Sequence, residues 1–245
     1  MLRDTVVNPP NGQRPEQIII FFHGYGSSGA SMANHVGNLL SSELPHTRIY
    51  CPDGPIKLGE DQHGNTYHSW FQVDDMLDNP DCDIIAGRAR QAAVDIQKYI
   101  DDVIKREGMT EDRVIIAGFS QGGTMAFYAG LLRDTEVAGV YSLSGGALDR
   151  LGTPTSKPPV ALLAGENENQ GYSGHPMAKA THAQLEQQGF RTDCVVLPNQ
   201  GHSITPESMR LLGQLTRFLT PDTPRPPATA SVQNKQNQRI KPPGF

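Results

Sequence analysis

The sequence predicts an α/β protein, a single domain on a doubly wound, mostly parallel sheet with helices on both faces. Three observations predict it. Five short apolar runs recur along the 245 residues, at Ile18 to Phe22, Arg113 to Gly118, Val137 to Leu143, Val160 to Ala164 and Cys194 to Leu197, with a weaker sixth at Ile49 to Cys51. None alternates polar with apolar residues, so each is expected to be buried on both faces, as parallel strands covered by helices are. Helical patterns separate the runs, which makes the chain a series of βαβ units.

The elements follow in order. Residues 1–17, MLRDTVVNPPNGQRPEQ, carry no apolar stretch of signal-peptide type and read as an N-terminal extension to a domain spanning 18–220. After the first strand and the weak second one comes a long connection, 52–83, holding GEDQHGNTYHSWF and the aromatic cluster Tyr67, Trp70 and Phe71. A connection of this length inside a compact domain is usually functional, so it is expected to wall a site, with Trp70 plugging the core as the plain alternative. Ile85, Ala89, Ala92, Ile96, Ile100 and Val103 then fall on one helical stripe. The run ending at Gly118 leads into a helical stretch from Thr124 to Leu132. The last helix opens with Thr205 as N-cap and Pro206 at its first position, and turns Leu211, Leu212, Leu215, Phe218 and Leu219 inward. Residues 221–245 hold six prolines and four basic side chains against one acidic, with too little apolar mass to fold alone, and read as a mobile basic tail.

Composition narrows the function. A 37% hydrophobic content supports a proper core, and a formal charge of −5 disfavours nucleic acid or an anionic membrane as the main partner. Small or neutral substrates fit better. The three cysteines, Cys51, Cys82 and Cys194, are odd in number and in no metal spacing, as expected of free thiols in a reducing compartment such as the cytoplasm. No run approaches the length of a membrane span.

Ligands on a doubly wound sheet bind beyond the carboxyl ends of its strands. At one such end stands Gly118-Phe119-Ser120-Gln121-Gly122-Gly123, a G-x-S-x-G pattern between a buried run and a helix. A strand that turns sharply into a helix forces its apex residue into strained backbone angles, and flanking glycines leave room for the turn. Ser120 is thereby the candidate nucleophile, and the Gln121 amide, at a helix N-terminus, is placed to meet a developing oxyanion. A serine hydroxyl needs a base. Of eight histidines, His202 in Asn199-Gln200-Gly201-His202-Ser203 follows a late strand and precedes the Thr205 cap, on the same rim as Ser120. His175 is a minor rival, His23 is better explained as shaping the turn beside it, and His63 and His68 lack the companion ligands of a metal site. The acid that orients the imidazole should follow a strand between Ser120 and His202. AGENENQGYSGH, residues 164–175, occupies that place. Glu168 is preferred, because it lies where the loop has cleared the strand end, with Glu166, Asp193 and Asp149 as fallbacks.

A second oxyanion donor is expected in Phe22-His23-Gly24-Tyr25-Gly26-Ser27-Ser28-Gly29, with the Tyr25 amide the choice. The same glycines match a dinucleotide-binding G-x-G-x-x-G. That reading needs an acidic residue some 20 positions on, and it leaves Ser120 and His202 idle.

These motifs, with Ser69-Trp70-Phe71 and Leu143-Ser144-Gly145, resemble in order and spacing the carboxylesterase and acyl-protein thioesterase family of α/β-hydrolases, from about Ile18 to Leu219. The resemblance implies an α/β-hydrolase with no large cap domain and no cofactor, hydrolysing carboxylic esters or acyl thioesters through an acyl-serine. It implies Ser120, His202 and an acid as the triad, the amides of Tyr25 and Gln121 as the oxyanion hole, and His23, Trp70 and Phe71 against the substrate. The chain departs from the family at the acid, where Glu168 stands in place of an aspartate. A non-catalytic binding protein on the same fold is the alternative reading, and it leaves three matched positions without use.

Overall fold

The computed structural model describes residues 2–41, 43–73, 75, 81–146, 151–168 and 174–219. Seven strands form one sheet: β1 (Asp4–Val7), β2 (Gln17–Phe22), β3 (Thr47–Pro52), β6 (Val114–Phe119), β7 (Gly139–Leu143), β8 (Val160–Gly165) and β9 (Thr192–Leu197). Their order across the sheet is β1-β3-β2-β6-β7-β8-β9. All neighbours run parallel except β1, which is antiparallel to β3. A separate antiparallel hairpin is made by β4 (Ile56–Glu60) and β5 (Thr66–Ser69).

The parallel pairing explains the composition of the strands. Successive side chains of β2 point to opposite faces, and both faces are covered. Ile18, Ile20 and Phe22 join a core with α2 (Cys82–Glu107), α3 (Gln121–Leu131) and α4 (His175–Gln187). Ile19 and Phe21 join a second core with α1 (Gly29–Leu40) and α5 (Pro206–Leu219). The chain is thus one α/β domain with helices on both faces.

Element boundaries shift by a residue or two from the apolar runs, and two expectations are corrected. Residues 1–17 are not an extension, because β1 pairs with β3 from Asp4↔Pro52 to Val7↔Ile49 and Gln17 opens β2. The Asp4 carboxylate anchors this edge, accepting from the Tyr99 hydroxyl (2.9 Å) and the Arg106 guanidinium (3.0 Å) of α2. Residues 52–83 are not a plain loop, since they contain the β4–β5 hairpin. On α2, Ala92 is partly buried and packs against the core as expected, and Ala86, Ala93 and Tyr99 join the buried stripe. At α5 the Thr205 hydroxyl accepts from the Ser208 amide (3.2 Å), an N-cap bond as expected. Leu211, Leu212 and Leu215 are buried, while the side chains of Phe218 and Leu219, the 221–245 tail and Asp149 lie outside the described residues. No described helix is long and apolar enough to cross a membrane.

Candidate active site

The carboxyl ends of β2, β6, β7, β8 and β9 share one rim, and the chemistry-bearing residues meet there. Ser120 follows β6 with φ 55° and ψ −119°, a conformation that costs about 1–3 kcal/mol for a non-glycine residue. The strand-to-helix turn imposes it. A Cβ on Gly118 would come within 2.2 Å of the Gly122 carbonyl oxygen, and one on Gly122 within 2.2 Å of the Phe22 carbonyl oxygen, so the turn closes only over glycine. Backbone bonds hold it on both sides, with Ser120 donating to Leu143 of β7 (2.8 Å) and its carbonyl accepting from Thr124 (3.1 Å).

His202 reaches this serine from the loop after β9. Its Nε2 lies 2.9 Å from Ser120 Oγ, and its Nδ1 lies 3.3 Å from Glu168 Oε2. An ionised carboxylate can only accept, so the proton belongs on Nδ1 and the Nε2 lone pair faces the serine hydroxyl. The Phe119 ring packs against the imidazole with centroids 4.8 Å apart. The separation to Glu168 is somewhat long for a charge-assisted bond, and such contacts often tighten when substrate binds.

Glu168 is 1% exposed. Burial pushes its carboxyl pKa up, but hydrogen bonds from His202, Ser144 and the Gly165 amide more than offset that and hold it below the ordinary glutamate value. Its Oε1 accepts from Ser144 Oγ (2.5 Å) and the Gly165 amide (2.7 Å). The loop is stitched to its neighbour by two backbone bonds, Glu166 N–H to Leu197 (2.9 Å) and Asn167 N–H to Gln200 (2.9 Å). A Cβ on Gly165 would sit 2.3 Å from the Gln200 carbonyl oxygen, so a side chain there would wedge the two loops apart.

The other candidate acids and bases are placed elsewhere. Glu166 is exposed, and its carboxylate accepts from the Asn199 amide (3.0 Å), where Asn199 holds φ 58°. Asp193 lies at the amino end of β9, away from the rim, and accepts from the adjacent Cys194 amide (2.8 Å). His175 heads α4, and its buried Nδ1 has no hydrogen-bond partner among the described residues. His63 is exposed, and His68 Nδ1 lies 2.8 Å from the Gly54 carbonyl. No group of three or more His, Cys, Asp or Glu side chains among the described residues could hold a metal ion.

The loop after β2 packs directly on the serine. A Cβ on Gly24 would lie 3.5 Å from Ser120 Cβ and 3.3 Å from the Phe119 ring, and Tyr25 is the next residue. Gln121 is the first residue of α3, where backbone amides have no partner within the helix. The amino end of α1 is a poor phosphate cradle, because the Asp53 carboxylate accepts from the Gly29 amide (2.7 Å) where an anion would sit.

His23, Trp70 and Phe71, expected against the substrate, are buried at 0%, 1% and 4% exposed, and Trp70 packs into the core as its plain alternative reading had it. His23 Nε2 accepts from the Gly54 amide (2.9 Å), which puts the ring proton on Nδ1, 2.7 Å from the Gly24 carbonyl. Trp70 Nε1 donates to the His23 carbonyl (2.7 Å). One supporting residue was missed in the sequence. The Gln121 side chain accepts from the Trp70 amide (3.0 Å) and donates to the Phe71 carbonyl (2.9 Å), tying the hairpin to the serine turn. Its place beside the serine was visible, but nothing in the pattern showed where its amide would point.

Fold and site together define an α/β-hydrolase with a serine, a histidine and a glutamate in one hydrogen-bonded line. The phospholipase/carboxylesterase family model matches residues 3–219, and the chain belongs to that family and is a hydrolase. It is 28% identical over 217 residues to acyl-protein thioesterase 1 homolog 1 of Dictyostelium discoideum, covering 84% of this chain and 91% of that one. It is 27% identical over 246 residues to acyl-protein thioesterase 1 of Mycosarcoma maydis, covering 90% and 98%. Among solved structures, esterase PE8 superposes with a TM-score of 0.78 at 23% identity, over 89% of this chain and 99% of that one. Arabidopsis thaliana SOBER1 gives 0.67 at 23%, over 82% and 98%.

Proposed function

We propose that this hydrolase cleaves carboxylic esters or acyl thioesters through an acyl-serine intermediate. The observation that carries the reading is the line of side chains from Ser120 Oγ to His202 Nε2 and from His202 Nδ1 to Glu168 Oε2, at 2.9 and 3.3 Å. Ser120 Oγ attacks the acyl carbon as His202 Nε2 takes its proton, and the amides of Tyr25 and Gln121 hold the oxyanion. The imidazolium then protonates the departing alcohol or thiol as its bond to the acyl carbon breaks. Water, deprotonated by His202, attacks the acyl-serine, and Ser120 regains its proton as the acid leaves. Glu168 stays ionised throughout, fixing the imidazole and stabilising its charged form. The carboxylate is a glutamate, three residues past Gly165 at the end of β8, and its Oε1 is held there by the Ser144 hydroxyl and the Gly165 amide.

The substrate class follows from the relatives and from the charge. The Dictyostelium discoideum and Mycosarcoma maydis relatives bear the name acyl-protein thioesterase, which favours a neutral acyl ester or thioester on a small-molecule, lipid or protein carrier. The unpaired Cys51 and Cys194 favour a reducing, cytoplasmic setting.

The test is direct. Wild-type protein should hydrolyse a short p-nitrophenyl ester and react with a fluorophosphonate probe, whereas Ser120→Ala should do neither while melting at an unchanged or higher temperature, since alanine changes only the hydroxyl at a strained position. Equal turnover by a folded Ser120→Ala protein would refute the nucleophile, and an unlabelled wild type would favour the binding-protein alternative.

A further inference from the structure

We propose that Ser144 is a positioning residue that makes a glutamate serviceable as the third member of the line; the proposal rests on the serine-hydrolase reading above. Ser144 stands one residue past the end of β7, at φ 57°, and is 1% exposed. Its amide donates to the Leu163 carbonyl of β8 (2.7 Å), which turns the chain toward the glutamate loop. Its hydroxyl donates to Glu168 Oε1 at 2.5 Å.

A glutamate needs such a partner more than an aspartate does. It carries one additional torsion, and the terminal χ3 of glutamate is a broad, roughly two-fold rotor. Left alone, Glu168 could present either oxygen to the imidazole, or neither. The Ser144 hydroxyl and the Gly165 amide (2.7 Å) both donate to Oε1, which leaves Oε2 for His202. The two donors also lower the carboxyl pKa against the effect of burial, so the group is a carboxylate when the imidazole needs it.

The backbone at this point carries a second, independent sign. Left-handed φ at a residue with a side chain is uncommon and costs roughly 1–3 kcal/mol. Glycine would adopt it without strain, and Gly145 and Gly146 follow immediately. A serine held in a glycine-like conformation, with its hydroxyl on a buried carboxylate, is a strained group whose visible use is that bond.

The experiment exploits the strain. Ser144→Gly removes the hydroxyl and relieves the backbone, so a residue with a merely structural role would tolerate the change. We expect kcat toward a p-nitrophenyl ester to fall about 10- to 100-fold with KM moving less than about 2-fold and no loss of melting temperature. In a Glu168→Gln background the same substitution should change kcat by less than about 2-fold, because the carboxylate that Ser144 orients toward the imidazole is already gone. Ser144→Ala, which keeps the Cβ, serves as a second variant if the glycine protein does not fold. Wild-type kcat in Ser144→Gly, or an equal loss in both backgrounds, would overturn the proposal. The proton NMR signal of the His202 Nδ1–H is read without substrate and separates the two readings. If wild type proves inert toward ester and fluorophosphonate, the hydrolase reading fails. The positioning claim then stands if the downfield signal is present in wild type and displaced in both Ser144→Gly and Glu168→Gln, and fails if Ser144→Gly leaves it in place.

Discussion

His23 and His202 lie in loops that leave strands at the same rim, yet the two regions use the same side chain in opposite ways. His23 is fully buried, and both ring nitrogens are committed to the backbone of its own and the neighbouring loop, Nε2 to the Gly54 amide and Nδ1 to the Gly24 carbonyl. His202 is partly open to solvent, and its nitrogens face two side chains that can exchange or stabilise a proton. Burial drives the pKa of His23 from the usual 6.5 down to about 4, with the Gly24 carbonyl pulling the other way. The difference teaches that histidine beside a strained turn is not by itself a base. Partners decide, and a ring whose two nitrogens are held by backbone groups is a fixed spacer.

The comparison can be broken at several places, beginning with the largest effect. His202→Ala should cost on the order of 10⁶ in kcat with the fold intact, measured on a short ester. Glu168→Gln should cost roughly 10⁴, because an amide cannot hold the productive tautomer, whereas Glu166→Gln should cost less than about 3-fold. Reversed results for the two glutamates would move the acid to Glu166 and require the loop to rearrange.

The His23 side of the comparison is sharpened by pH rather than rate. Its folded pKa is depressed, so between pH 6.5 and about 4 the unfolded chain binds a proton that the folded chain refuses. Stability should therefore fall as pH drops through that window, by about 3 kcal/mol from this group. His23→Gln should start less stable at pH 8, and melting temperatures recorded from pH 8 to pH 4 should show a shallower decline than wild type. A decline of the same steepness would mean that His23 is protonated in the folded protein and that its partners have been misassigned. Glu168 adds in the same direction, since a carboxyl held below its ordinary value contributes stability above that value and loses it as pH falls through the folded one. The difference between variant and wild type isolates the histidine.

Much of this was legible in the chain, for physical reasons that differ by region. The central strands announce themselves because burial on both faces demands unbroken apolar runs. Ser120 is legible because its turn tolerates only glycine at two fixed offsets, and His202 because a loop between strand and helix on the right edge contains it. Glu168 follows from its offset beyond the strand. The edge strand β1 was hidden because its four residues are all partly exposed, so no apolar run marks it. The hairpin was hidden because β4 is mostly exposed and its sequence reads as a polar loop. The burial of Trp70 and Phe71 was left open between two readings because a pattern shows that aromatics are present in a loop but not which way they face. Ser144 was visible only as one residue of a resemblance, since a serine after a buried strand is common and its backbone angle leaves no mark in sequence.

The four-residue β1 also has a consequence for handling the protein. It shields the outer hydrogen-bonding edge of β3, where Ile49, Tyr50 and Cys51 would otherwise offer unpaired amides and carbonyls. A chain trimmed before Gln17 would present a ready template for strand addition by another molecule, and it should self-associate under conditions where the intact chain stays monodisperse.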